Sequence, residues 1–305
     1  MIYTCTITPS IDYTTYLSSF LPGELNRTKE VYYYPGGKGI NVSRVLKRLG
    51  EDNTALGFVG GFTGEYIKHF LEQENIKTEF IDTEEITRIN VKIKADQETE
   101  LNGPGPMIAE HQQQELLSKL QHLQKGDWLV LAGSLPETIP LSFYKEIANL
   151  CRQLGIKIVL DTSGPAFNEL VKERPFLIKP NEHELGDLFD TTISSKEEAI
   201  HYAKKLNELG VENIIVSLGG DGAIFVSNDT ILEAKAPKGK VVNTVGAGDS
   251  LLSGFISSYA KGQGVPTAFR YGVASGSATA FQTDLCKKED VEALIDQVQL
   301  KSIKE

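Results

Sequence analysis

The sequence predicts an α/β fold: a mostly parallel central sheet covered by helices, with a small second sheet standing off it. Three observations carry this reading. Short Val- and Ile-rich runs alternate with longer amphipathic stretches. The runs are continuously apolar, as expected of strands buried on both faces. Two other segments instead alternate apolar and polar residues, which marks strands with one buried face.

Taken along the chain, Met1 to Ser10 has no basic start and no long apolar run, so it reads as a strand and not as a secretion signal. Residues 12–35 hold two strand patterns, Tyr13–Phe20 and Glu30–Tyr34, with Pro22 and Gly23 between them. Val42, Val45, Leu46 and Leu49 then follow at helical spacing. Residues 86–101 hold Ile89–Lys94 and Thr99–Leu101. Segments 12–35 and 86–101 are expected to form a small antiparallel sheet that acts as a lid. The other reading is that they are edge strands of the main sheet.

Beyond them, Trp128–Ala132, Lys157–Asp161, Phe176–Lys179 and Asn213–Ser217 read as buried strands. Helical patterns lie at Leu141–Leu154 and Lys196–Leu209, each stopped by a glycine, Gly155 and Gly210. Strands alternating with helices imply right-handed crossovers and a parallel sheet. No internal repeat, low-complexity tract or long linker divides the chain, so residues 1–305 read as a single domain.

Composition excludes several classes of function. Lys and Arg number 31 against 41 Asp and Glu, a net charge of −10, with 40% apolar and 24% charged residues. That is too apolar for a disordered chain and too acidic for a nucleic-acid surface. No apolar run approaches the ~18–20 residues that cross a bilayer. The 3 cysteines, Cys5, Cys151 and Cys286, are widely separated and form neither a disulfide framework nor a metal motif. A reducing, cytoplasmic location is expected. The 5 histidines include no His-x-x-x-His pair.

Four glycine-rich or capped turns carry the chemistry. Asn243-Thr-Val-Gly-Ala-Gly-Asp-Ser250 precedes a helical pattern at Leu251–Tyr259. A glycine turn opening a helix aims free amides and the positive end of the dipole at one point. Asp249 stands beside that anion hole, placed either to take a proton from an attacking hydroxyl or merely to cap the helix. Pro35-Gly-Gly-Lys-Gly-Ile-Asn41 is a second glycine turn into a helix. It fails both the dinucleotide fingerprint and the Walker A pattern, leaving amides, Lys38 and Asn41 as donors for a polyol or its phosphate. The alternative is a tight structural turn. Lys179-Pro-Asn-Glu-His-Glu184 follows a strand, with Asn181 and Glu184 spaced as a helix cap. Its carboxylates could also face phosphates, through water, by way of Mg²⁺. Ser217-Leu-Gly-Gly-Asp-Gly-Ala223 is either a nucleotide-facing turn or an ordinary β-turn. Gly133-Ser134 and Asp12 each follow a strand directly.

Taken together, Gly37-Lys38-Gly39-x-Asn41, Asn181-x-x-Glu184 and Gly246-Ala-Gly-Asp249 resemble, in order and spacing, the signatures of the ribokinase-like PfkB carbohydrate kinases. The likeness spans essentially the whole chain. Tyr34-Pro-Gly-Gly-Lys-Gly-Ile-Asn-Val-Ser-Arg44, Thr87-Arg-Ile-Asn-Val-Lys92 and Asn102-Gly-Pro-Gly-Pro106 look most like the subgroup that phosphorylates fructose 1-phosphate. Enzymes acting on tagatose 6-phosphate or fructose 6-phosphate are near neighbours, and a catalytically silent sugar-phosphate sensor is the reading from another class.

The resemblance implies a three-layer α/β/α sandwich with a β-sheet lid, ATP and Mg²⁺; separately, the edges of an exposed lid sheet could pair between subunits to give a homodimer. The resemblance also implies Asp249 as catalytic base, with Gly246, Ala247 and Gly248 as the anion hole. Asp12, Gly36, Gly37, Asn41 and Asn90 would meet the sugar. Lys38, Arg88, Arg27 and Ser134 would meet the phosphate that the sugar already carries. Lys179, Asn181 and Glu184 would serve the ATP phosphates, Glu184 reaching Mg²⁺ through water. Ser217, Gly219, Gly220 and Gly222 would line the nucleotide.

Overall fold

A computed structural model describes residues 1–136 and 138–303. The single domain expected over 1–305 thus includes residues 137, 304 and 305, which lie outside the described residues.

The chain opens with β1 (Ile2–Thr6), then β2 (Ser10–Tyr16) and β3 (Glu30–Gly36), and enters α1 (Lys38–Arg48). β4 (Asn53–Val59), α2 (Gly61–Gln73) and the short β5 (Lys77–Thr78) and β6 (Ile81–Asp82) follow. Next come β7 (Arg88–Lys94), β8 (Glu98–Asn102) and α3 (Glu110–Leu120). A strand–helix alternation then runs through β9 (Trp128–Ala132), α4 (Leu141–Leu154), β10 (Lys157–Asp161), α5 (Pro165–Leu170), β11 (Leu177–Ile178), α6 (Glu182–Asp187), α7 (Lys196–Glu208) and β12 (Asn213–Ser217). β13 (Ala223–Ser227), β14 (Ile231–Lys235), α8 (Ala247–Ala260), α9 (Val265–Ala280), α10 (Lys288–Glu292) and β15 (Gln299–Ser302) complete it.

Among the described residues the central sheet has 11 strands, ordered β15-β14-β13-β12-β11-β10-β9-β1-β4-β5, with β6 beside β4. Pairing is parallel from β12 to β5 and antiparallel from β12 outward to β15. Successive strand residues feed opposite faces. Leu129, Leu131, Ile158 and Leu160 pack with the side chains of α3 to α7, such as Leu116, Ile147, Leu185 and Ala203. Trp128, Val130, Ala132 and Val159 pack on the other side with those of α1, α8 and α9, such as Val45, Phe255 and Phe269. The result is the three-layer α/β/α sandwich. Burying both faces explains why these strands lack polar alternation.

The segments predicted to stand apart do form a separate 4-stranded sheet, ordered β3-β2-β7-β8. One expectation is corrected: this sheet is not wholly antiparallel. β2 and β7 pair in parallel, Ser10 facing Arg88 and Tyr16 facing Lys94. The reason is topological. Only strands joined by a hairpin must be antiparallel; β2 and β7 are separated by a long excursion through α1, β4 and α2. Two strand bounds also shift. The strand expected over Phe176–Lys179 is confined to Leu177–Ile178, between Pro175 and Pro180. The one expected over Tyr13–Phe20 is displaced to Ser10–Tyr16. Among the described residues no helix is long and apolar enough to cross a membrane.

Candidate active site

β1 lies at the point where the chain turns from one side of the parallel sheet to the other, with β4 on one flank and β9 on the other. Crevices form at the carboxyl ends of strands at such a switch point. A cavity of about 470 Å³ opens there, with Thr6, Gly133, Ser134, Lys179 and Ser217 on its floor. The polar face of the second sheet, with Asp12, Arg88, Asn90 and Lys92, forms a wall. The starts of α1 and α8, with Gly37, Lys38, Asn41, Gly246, Gly248 and Asp249, supply the rest.

The start of α8 is the chemical centre. Gly246 sits in the left-handed region at φ 78° as the residue before the helix, where a side chain would be strained. A Cβ there would also stand 2.5 Å from Leu285 Cδ2. Asp249 is in the first turn and 6% exposed. Its Oδ2 accepts a hydrogen bond from Asn41 Nδ2 at 2.8 Å. Burial, and then the charge of Asp161, push its pKa up to about 6, against the opposing pull of Asn41, Lys179 and Lys38. A carboxyl tuned to that range can act as a general base near neutral pH. Turnover should therefore rise with pH through about 6 and level off above it, since only the ionised form accepts a proton. A rate profile of kcat/KM checks this; a flat profile from pH 5 to 8 would exclude Asp249 as the titrating base.

Around it lies a set of buried and half-buried charges. Asp161 ends β10 with its side chain fully buried. Lys38 Nζ stands 3.0 Å from Asp161 Oδ1 and 3.4 Å from Glu184 Oε1. Lys179 Nζ stands 3.3 Å from Asp161 Oδ2, which accepts no hydrogen bond. Burial alone would raise the Asp161 pKa, but Lys179 and Lys38 outweigh it and hold it below the ordinary carboxylate range. Burial likewise works against the charge on Lys38, yet Asp161, Glu184 and Asp249 keep its pKa above that of a free lysine. Lys179 also reaches α8: a Cβ on Gly248 would come within 3.1 Å of its Nζ. Asn181 and Glu184 form the capping box their spacing predicts. Asn181 Oδ1 accepts from the Glu184 amide at 2.8 Å, and Glu184 Oε2 accepts from the Asn181 amide at 2.9 Å.

On the opposite wall Arg88 donates from Nη2 to the Thr8 carbonyl at 3.1 Å, and its Nε is buried without a partner. Burial lowers its pKa, opposed by Asp12. Asn90 Oδ1 is also buried and unpartnered.

Most of the predicted residues thus converge, but six do not line the cavity. Arg27 is exposed in the loop between β2 and β3. Ala247 spends its amide on a turn to the Thr244 carbonyl at 3.2 Å, so it is not a free donor. Gly36 lies behind Asp12: a Cβ there would come within 2.4 Å of Asp12 Oδ1. Gly219 and Gly220 are exposed beside Ser217, with open space where a Cβ would stand. Gly222 meets a strand instead, since its Cβ would fall 2.0 Å from the Ala234 carbonyl. The reading from sequence missed Thr6, Thr8, Ser10, Lys92, Asp161 and Ser163. Two carried a signal. Asp161 is an acidic residue at the carboxyl end of a parallel strand, and Lys92 shares the period-two face of Arg88 and Asn90.

Comparisons with known proteins bear on the family and the fold. A model described as pfkB family carbohydrate kinase matches residues 5–290. The chain is 51% identical to the 1-phosphofructokinase of Bacillus subtilis (strain 168), over 98% of this chain and 99% of that one. It is 41% identical to the D-tagatose-1-phosphate kinase of Bacillus licheniformis, over 98% and 99% of the two chains. Its fold matches the phosphofructokinase-2 of Escherichia coli in complex with substrates and products with a TM-score of 0.92 at 29% identity, covering 97% of this chain and 98% of that one. Motifs, fold and relatives agree over nearly the full length: the chain belongs to the pfkB family of carbohydrate kinases.

Proposed function

We propose that the protein transfers the γ-phosphoryl group of ATP to the 6-hydroxyl of fructose 1-phosphate, giving fructose 1,6-bisphosphate and ADP. The observation that carries the reading is the buried Asp249 carboxylate beside the glycine start of α8, inside a cavity walled by Arg88. The B. subtilis relative, named for this activity, supports the acceptor. Tagatose 1-phosphate is the second reading, favoured by the B. licheniformis relative.

In this account Asp249 orients the 6-hydroxyl and takes its proton. An alcohol is a far weaker acid than a carboxylic acid, so transfer comes late, as the phosphoryl group arrives. The amides of Gly246 and Gly248 and the α8 dipole hold the developing negative charge. Sequence reasoning placed Lys38 on the acceptor's phosphate. Lys38 shares the Asp161 carboxylate with Lys179 and also meets Glu184, which supports assigning it to the transferred group. Arg88, with its unpaired Nε, and Ser134 hold the phosphate already on the sugar. Asp12, Asn90 and Asn41 face its hydroxyls, and Ser217, Gly219 and Gly220 flank the nucleotide.

Among the described residues no group of three or more His, Cys, Asp or Glu could hold a metal ion by itself. The donor set fits an ion carried mainly by phosphates and water, as Mg²⁺ is. Glu184, with Oε1 toward Lys38, would hold it through water, and Mg²⁺ would neutralise charge on the transferred phosphates.

We further propose that residues 1–305 act as one kinase unit with the second sheet as its lid. The chain would work in the cytoplasm, where its three buried free cysteines stay reduced. It would pair into a homodimer through that sheet, whose outer face exposes Tyr33 and Leu101 and whose edges are β3 and β8.

An acceptor screen with ATP and Mg²⁺ tests the function. Fructose 1-phosphate should give the highest kcat/KM among fructose 1-phosphate, tagatose 1-phosphate, tagatose 6-phosphate and fructose 6-phosphate. A higher value for any of the other three, or turnover with none, would overturn the assignment.

A further inference from the structure

Lys92 has no role in the account so far. It stands on β7 two residues beyond Asn90 and four beyond Arg88, on the same cavity-lining face. Thr14 faces it in the ladder, so it reaches Asp12 diagonally. Its Nζ lies 2.9 Å from Asp12 Oδ2, with the two side chains only 12% and 17% exposed. The other oxygen, Oδ1, accepts from Ser10 Oγ at 2.8 Å and from Asn90 Nδ2 at 3.1 Å. Gly36 closes a further side, because any Cβ there would overlap Asp12. Asp12 is therefore gripped by three donors from two strands, and its remaining acceptor capacity is left to the cavity that it lines.

Arg88 keeps a buried donor nitrogen without a partner, as expected of a group awaiting an anion. Lys92 already has its ammonium against a carboxylate. An ammonium held in this way orients its partner more readily than it recruits a second anion.

We infer that Lys92 is a positioning residue for acceptor recognition: it fixes Asp12 as a rigid hydrogen-bond acceptor for a sugar hydroxyl, and acts through Asp12 instead of touching the acceptor's phosphate. This rests on the sugar-phosphate kinase reading above. Without Lys92 the carboxylate loses one of its three anchors and a sugar hydroxyl meets a mobile partner. The effect falls on acceptor affinity. The donor phosphates, on the Lys38, Asp161 and Lys179 side, are not involved.

The test is a double-mutant cycle on acceptor Kd by calorimetry, with KM for both substrates measured alongside. Lys92→Met should weaken fructose 1-phosphate binding roughly ten- to a hundredfold, the loss typical of a hydrogen bond between charged groups. The KM for ATP should move less than about threefold, and Lys92→Arg should recover most of the loss. In the Asp12→Asn background the same Lys92→Met change should cost less than about threefold more, because two residues acting as one unit are not additive. An equal loss in both backgrounds would show that Lys92 meets the acceptor directly, and would overturn the inference. So would unchanged acceptor affinity, or ATP and acceptor affinities falling together. Should Lys92→Met not fold, Lys92→Gln carries the same cycle. Should the wild-type enzyme prefer another sugar phosphate, the function assignment has failed, and the cycle is run on that acceptor with the same outcomes.

Discussion

Asp249→Asn is expected to lower kcat roughly a hundred- to ten-thousandfold while leaving the KM for ATP within about threefold, the signature of a lost general base. The substitution is nearly isosteric. The amide oxygen can still accept from Asn41 Nδ2, which now lies 2.8 Å from the carboxylate, so the helix start keeps its shape and its amides. Only the capacity to take a proton goes. Single-turnover kinetics with ATP and the sugar phosphate check this; turnover within about threefold of wild type would remove the carboxylate from the chemistry.

The same substitution should move stability the other way. The folded-state pKa of Asp249 is raised from 3.8 to about 6. A carboxyl with a raised folded pKa weakens the fold once it must ionise. That penalty is absent below about pH 4, grows between pH 4 and 6, and is complete above that. Asp249→Asn should therefore stabilise the protein at pH 7–8 by on the order of 1–3 kcal/mol, and by nothing at pH 4. Thermal melting at the two pH values separates the cases. A variant that loses stability at pH 8 would show that Lys38 and Lys179 need the charge more than burial opposes it.

Arg88→Ala is expected to raise the KM for the phosphosugar roughly a hundredfold or more, with little change for ATP. Arg88 is the first residue of β7, opposite Ser10 in the ladder, and its guanidinium is anchored by one bond to the Thr8 carbonyl. That leaves its buried Nε to meet an anion. The chain as a whole is acidic, so an anionic acceptor depends on such local cations. Equal rises for both substrates would place Arg88 on a shared structural element and not on the acceptor's phosphate.

How much of this could be read from the chain depended on whether the physics was local. β9, β10 and β12 were legible because burial on both faces leaves a continuous apolar run such as WLVLA or NIIVS. The Asn181–Glu184 capping box was legible because its bonds span three residues. The parallel pairing of β2 with β7 was not: Ser10 and Arg88 are brought together only by the packing of everything between them. Asp161 offered only its place at the carboxyl end of a strand as a signal. Its importance comes from two lysines that lie far from it in sequence, Lys38 and Lys179. The same limit hid the partners of Lys38, which come from β10 and α6. Ala247 looked like a third anion-hole donor because spacing does not reveal that a turn to Thr244 uses its amide.

The central claim is that the α8 start and Asp249 converge on the transferred phosphoryl group. A crystal structure with a non-hydrolysable ATP analogue and fructose 1-phosphate tests this most directly. The account predicts the terminal phosphate against the amides of Gly246 and Gly248, with the 6-hydroxyl in hydrogen-bond reach of Asp249 and the 1-phosphate on Arg88. A triphosphate chain ending away from residues 246–249, or a sugar bound with its phosphate toward Asp249, would contradict it.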